Sequence, residues 1–191
     1  MPTIFTHAVA ALAVGTVVLP AKTSARVWTL GALCSMAPDL DVIAFPLGIS
    51  YSNMFGHRGL THSIAFALVL AVLVAALVFR DASFDRSRWR IGLFLFLATA
   101  SHGTLDAFTN GGRGVAFFAP FSAQRYFFPV APIEVSPIGP AFWSERGLRV
   151  LASEFIWVWL PALAIAGIAL CARYAQRNAP DAKSAPSASE W

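Results

Sequence analysis

Charge is what this chain has least of. Only 13% of its 191 residues are Asp, Glu, Lys or Arg, against roughly 25% in an ordinary soluble domain. Another 57% are hydrophobic, and these fall in long blocks. That excludes a water-soluble globule and points to an all-α protein crossing a membrane several times. Basic runs are missing too. The net charge of +4 comes from Lys and Arg scattered along the connections, so it is no nucleic-acid footprint, and no nucleic-acid partner is expected. Cysteine is nearly absent: Cys34 and Cys171 lie far apart inside apolar segments, which argues against a structural disulfide or a reactive thiol and leaves the redox compartment unread. The four histidines are not paired at mid-membrane on facing segments, as haem ligation would require. There is no internal repeat.

The apolar blocks imply an integral membrane helical bundle of four or five transmembrane helices in one domain, residues 1–172. The spans are expected near 4–20, 27–48, 63–79, 91–108 and 150–172. The first could instead be a signal peptide, but no Lys or Arg precedes its apolar core. The second meets Pro38-Asp39-Leu40-Asp41 after a dozen residues, too few to cross about 30 Å of hydrocarbon at about 1.5 Å per residue, so the helix should end or kink there. Residues 80–90 read as an exposed loop. Residues 111–149 form a long Pro- and aromatic-rich connection suited to the lipid interface. Pro161 should interrupt the last helix, and the polar Ala/Ser/Pro-rich tail, 173–191, should be disordered.

Five crossings place Lys22, Arg26, Arg80, Arg86, Arg88, Arg90, Arg173, Arg177 and Lys183 on one side. Arg58, Arg113, Arg125, Arg146 and Arg149 fall on the other. The positive-inside rule puts the first group, and the C-terminus, in the cytoplasm. The same topology gathers His7, Asp39, Asp41, His57, His62, His102 and Asp106 on the opposite, outer side. Seven imidazoles and carboxylates on one face by accident would be a large coincidence, and these are the ligands of a divalent metal.

Each pattern also has a plainer reading. His102 and Asp106 are four apart and share a helical face, but such a pair also packs or caps. His57 and His62 could reach one metal from a turn and a first helical turn, or Thr61 or Ser63 could simply cap the third helix. Asp39 and Asp41 are costly at the membrane boundary unless paired, protonated or metal-bound. One could ligate while the other orients a histidine or acts as base, or both could pair with Arg58 or Arg113. His7, alone on an Ala-rich helix, could be a packed side chain. Arg58, Arg113 and Arg125 could fork onto a phosphate head group or merely anchor the interface. Glu134 and Glu145 carry no specific signal.

His7 in an Ala-rich first helix, Pro38-Asp39-Leu40-Asp41, the run His57-Arg58-Gly59-Leu60-Thr61-His62-Ser63, Ser101-His102-Gly103-Thr104-Leu105-Asp106 and Pro120-Phe121-Ser122 follow one another in order. Over residues 1–139 this succession resembles the YdjM-like family, bacterial inner-membrane proteins described as metal-dependent hydrolases, some under LexA control. That family is in turn considered distantly similar to zinc-dependent phospholipase C and related zinc nucleases, and the His102/Asp106 spacing looks like one of their metal-binding helices. The resemblance implies a bacterial inner-membrane location and a divalent metal, zinc first. Four histidines and three aspartates suit one or two metals rather than the three of those enzymes.

The expectation is therefore a membrane-bound metal-dependent hydrolase working at the outer interface on a phospholipid or other amphiphilic ester or phosphoester through metal-activated water. His57, His62, His102 and Asp106, with His7 and Asp39, are the candidate metal ligands. Asp39, Asp41 and Arg58 are the candidate catalytic groups, and Arg58, Arg113 and Arg125 would hold a head group. The rivals are a proton- or metal-coupled transporter, whose relay belongs nearer mid-bilayer, and a noncatalytic scaffold with a structural metal. Oligomeric state is not legible.

Overall fold

The computed structural model describes residues 1–79, 86–137 and 139–178. Six α-helices follow in order: α1 (Ile4–Val18), α2 (Ala25–Met36), α3 (Ile64–Val78), α4 (Arg86–Ala107), α5 (Glu145–Glu154) and α6 (Leu160–Asn178). Among the described residues there are no β-strands, only isolated bridges pairing Thr109 with Ile133 and Val115 with Tyr126. The core lies where α1, α2, α3 and α4 meet around Phe94, with Ala11, Leu19, Val27, Cys34, Ala71, Leu95 and Ala98 buried beside it. Outward faces are also apolar: Leu68, Val69, Val72 and Leu77 on α3 and Leu163, Ile168 and Leu170 on α6 are exposed. With the buried set rich in His, Asp, Arg and Glu, this inverts the usual distribution and suits a lipid surround.

Two stretches are long and apolar enough to cross a bilayer, Ala25–Ala44 and Glu145–Asn178. Helices α1 and α3, at 15 residues each, reach only about 22 Å. The stretch Ala25–Ala44 changes form where proline predicts it. α2 ends at Met36, and Ala37–Ala44 continues as a 3₁₀ coil with Pro38 in its first turn.

Pro161 does not interrupt the last helix. Helix runs from Glu145 to Asn178, starting before the expected residue 150. Just before the proline, Phe155–Trp159 widens into a π turn, in which the Leu160 N–H bonds back to the Phe155 carbonyl. That widening accommodates a residue that clashes in a regular α-helix and cannot donate. Residues 173–178 of the expected tail are likewise helical, and 179–191 lie outside the described residues. Of the expected 80–90 loop, residues from Arg86 onward belong to α4, and 80–85 lie outside the described residues.

The long connection does more than skim an interface. The Ala116 N–H donates to the Arg58 carbonyl, the Ile64 N–H to the Phe117 carbonyl, and Val115 and Tyr126 exchange backbone hydrogen bonds. Val115, Ala116 and Ala119 are buried, while Phe121 and Trp143 stand out at 90% and 86% exposure. The connection thus closes one end of the bundle, and there the polar cluster lies.

Candidate metal centre

The seven predicted side chains come together. His7 projects from the first turn of α1, Asp39 and Asp41 from the 3₁₀ coil after α2, and His102 and Asp106 from the last turns of α4. His57 and His62 come from the loop entering α3, His62 closing a 3₁₀ turn at Leu60–His62. Ser63 accepts a hydrogen bond from the Phe66 N–H and caps α3, which leaves Thr61 free for the cluster. All seven are buried.

Glycine sets the approach of the two central imidazoles. A Cβ on Gly103 would lie 2.6 Å from the His62 carbonyl oxygen, so only a bare backbone lets α4 lie against that turn. His62 Nε2 and His102 Nε2 then face each other at 3.0 Å. The His102 Nδ1 is 2.7 Å from the Ser35 carbonyl, which can only accept, so this nitrogen carries the hydrogen. His62 Nδ1 lies 3.0 Å from Thr61 Oγ1, whose own hydrogen goes to Asp41 Oδ2 at 2.6 Å, so this nitrogen donates to the hydroxyl, with Asp41 Oδ2 itself 3.1 Å away. In the neutral rings both facing nitrogens therefore carry lone pairs. Asp39 Oδ1 lies 3.3 Å from His102 Nε2 and 3.8 Å from His62 Nε2, and Asp106 Oδ2 lies 3.3 Å from His62 Nε2. Neither Asp39 oxygen has a hydrogen-bond partner, and Asp106 Oδ2 has only the ion-pair contact with Arg58.

Four acceptor atoms from Asp39, His62, His102 and Asp106 thus converge, all within 4.8 Å of one another. Atoms bound tetrahedrally at about 2.0–2.1 Å lie about 3.3–3.4 Å apart, and the contacts from the two imidazole nitrogens, 3.0 to 3.8 Å, bracket that value. The charge agrees: the three buried carboxylates Asp39, Asp41 and Asp106 face one guanidinium, that of Arg58. The Met1 ammonium adds a second, longer contact, 4.0 Å from Asp106 Oδ1, and the negative charge still left over while the histidines are neutral is the deficit that a divalent cation fills. Otherwise a proton must serve. Burial alone would lower the His62 pKa, but its contacts with Asp106, Asp39 and Asp41 override this and raise it to about 10.

Around these four atoms lies a supporting layer. Asp41 accepts from His57 Nδ1 at 2.6 Å, Thr61 Oγ1 at 2.6 Å and the Arg58 N–H at 3.1 Å, besides holding His62. Asp41, His57 and His62 form a second grouping with ligand-like spacing. The His7 ring stacks on His102 at 3.6 Å between centroids, its Nε2 3.8 Å from Asp106 Oδ1 and neither nitrogen hydrogen-bonded. Arg58 sits in a left-handed conformation with φ of 61°, uncommon for a non-glycine residue and typical of functional sites. Its Nε is 2.9 Å from Asp106 Oδ2, and its remaining donors go to the Gly111 carbonyl and Thr109 Oγ1. Arg125 donates to the carbonyls of Tyr51, Asn53, His57 and Gly114 and braces the loop. Arg113 is exposed, 5.8 Å over the Tyr51 ring.

One buried acid escaped the sequence analysis. Glu154, at the end of α5, accepts from the Thr3 N–H at 2.5 Å and from the Thr3 and Thr6 hydroxyls at 2.6 Å each. Trp159 Nε1 donates to Thr6 Oγ1 at 2.7 Å. The carboxylate thereby fixes the first turn of α1, which carries His7. An acid immediately before an aromatic membrane segment was the available signal.

No solved structure matches the chain. It is 38% identical over 175 residues to the inner membrane protein YbcI of Escherichia coli strain K12, covering 88% of this chain and 96% of that one. The YdjM inner membrane protein family matches residues 1–179. From the first helix through the last, the chain belongs to the YdjM inner membrane protein family.

Proposed function

We propose that this protein is a membrane-bound, metal-dependent hydrolase, with Asp39, His62, His102 and Asp106 holding a divalent cation, zinc first. The observation that carries the reading is the pair of imidazole nitrogens whose tautomers are fixed from behind, so that their lone pairs face each other at 3.0 Å between the carboxylates of Asp39 and Asp106. Such an arrangement is repulsive unless something positive lies within it. A cation held there would supply Lewis acidity and a bound water of lowered pKa. Asp41 orients His62 and, through its 2.6 Å hydrogen bond, holds His57 so that the far nitrogen of that ring can take up a proton. Arg58 neutralises and aims Asp106. Arg113, the arginine of the three whose guanidinium stays exposed, suits an anionic head group. In this reading helices α1, α3 and α4 join the two longer stretches as crossings, and the excess of basic residues at the other end supports an outward-facing site. A membrane ester or phosphoester is the matching substrate class.

Four protein ligands in a buried set also suit a structural metal, since catalytic zinc sites keep a position for water. Elemental analysis of detergent-purified protein decides the first step. Near-stoichiometric metal, lost in His62→Ala and His102→Ala proteins that still insert, supports the site. Full retention in both, or no metal after adding it back to wild type, refutes it. Cobalt substitution separates the two roles: a visible spectrum that shifts with phosphate shows an open position, and an unresponsive one favours the structural metal.

A further inference from the structure

A cavity of about 390 Å³ adjoins the cluster, walled by Ile4 and Phe5 of α1, Met36 and Val42 from the end of α2 and its 3₁₀ coil, and Pro137 and Phe142 of the connection. Its volume lies within the range of small-molecule sites. Its walls are aliphatic and aromatic almost throughout, and Asp39 belongs both to its lining and to the four converging ligands. Phe5 and Leu40 at its rim are 65% and 73% exposed, so it opens toward the apolar exterior rather than toward the polar loop. An apolar slot ending against a buried carboxylate that has no hydrogen-bond partner matches one kind of molecule: an amphiphile with a flexible tail and a polar head.

We propose that this cavity holds one aliphatic chain of a membrane lipid, entering sideways between α1 and the 3₁₀ coil, with the head group brought to the Asp39 edge of the cluster. The placement of the head rests on the hydrolase reading, whereas the chain site stands on the cavity alone. Besides Asp39, the polar side chains in the lining are Thr3, whose hydroxyl is committed to Glu154, and Ser136, so Asp39 is the charged group available to a head group. Chain length then governs recognition, and a tail-less phosphoester lacks the part that this slot binds.

The test uses full-length protein in detergent micelles and a phosphatidylglycerol bearing a diazirine midway along one acyl chain. Photolysis should label peptides spanning residues 36–42 and 136–142. Val42→Trp fills the slot, and losing the contact of even two methylenes lowers affinity about tenfold. Labelling of those peptides should fall by at least about that factor while metal content is unchanged. Met36→Trp, read the same way, guards against a misfolded first variant. Wild-type labelling spread evenly along α3 and α6, with no preference for the two peptides, overturns the proposal. Labelling confined to the slot without any turnover of the lipid leaves the chain site standing and sinks the hydrolase reading instead. If turnover occurs, Val42→Trp should raise KM for long-chain lipid and leave short-chain substrate unaffected.

Discussion

Asp41→Asn separates the residue that positions from the residues that bind. Asp41 takes three donors, from His57, Thr61 and the Arg58 backbone, and lies 3.1 Å from His62 Nδ1, which it holds through the Thr61 hydroxyl. Asparagine keeps the shape and offers one acceptor oxygen in place of two, with an amide N–H₂ that faces other donors. His62 loses the anionic partner that fixes its tautomer and strengthens its Nε2 as a base. Replacing such a partner typically weakens metal affinity about 10–100-fold, or about 1.4–2.8 kcal/mol. The four converging atoms remain, so stoichiometry at saturating zinc should stay at the wild-type value while competition with a chromogenic chelator shows the weaker Kd. Asp39→Asn, by contrast, should lower stoichiometry itself, because an amide oxygen is a poorer ligand than a carboxylate. An Asp41→Asn protein with wild-type Kd refutes the positioning role. Complete loss of metal in that variant makes Asp41 itself a ligand and refutes the division of labour between the two aspartates.

Three further outcomes follow from the geometry. Gly103→Ala should gain about 1 kcal/mol of helix propensity yet lower the unfolding temperature, because a Cβ 2.6 Å from the His62 carbonyl forces the turn away at about 1–3 kcal/mol; an unchanged or higher temperature contradicts the tight fit. Glu154→Gln should destabilise the protein by about 1–3 kcal/mol, since an amide cannot accept from Thr3 N–H and two hydroxyls on both its atoms, and thermal unfolding in detergent reads this directly. In chelator-treated protein the His62 contribution to stability should be complete below pH about 6.5 and fade as pH climbs toward about 10, the direction set by a folded pKa above the unfolded one. The matching His62→Asn protein should lack that slope, and identical slopes in both overturn the assignment.

What the sequence discloses and what it hides have physical reasons. His7, Asp39, His102 and Asp106 are legible because an ionisable group among apolar residues has few ways to exist, and alternating crossings put all of them at one end. Pro38 marks the end of α2 because it cannot continue a hydrogen-bonded helix cleanly. Pro161 misleads under the same rule, since the π turn before it adapts the backbone, a tertiary solution without a local signature. The burial of Arg58 is hidden as well. It depends on residues 109–116 returning over the loop, contacts more than fifty positions away in sequence. Glu154 escaped notice because residues 145–154 alternate charge and apolarity like an exposed surface helix. Its three donors come from the other end of the chain.

The π turn at Phe155–Trp159 has a consequence for how the long helix is anchored. In a regular α-helix, residues five apart point about 140° away from each other, so Glu154 and Trp159 could not both reach Thr6. Widening one turn to five-residue hydrogen bonding brings them back to nearly one line, and both meet the Thr6 hydroxyl. The helix thereby grips α1 with a carboxylate and an indole spaced by a full wide turn, a two-point clasp rather than a single contact. An extra residue is absorbed within this one turn, so the exposed apolar side of α6 continues beyond it while the turn of α1 that carries His7 is held against rotation.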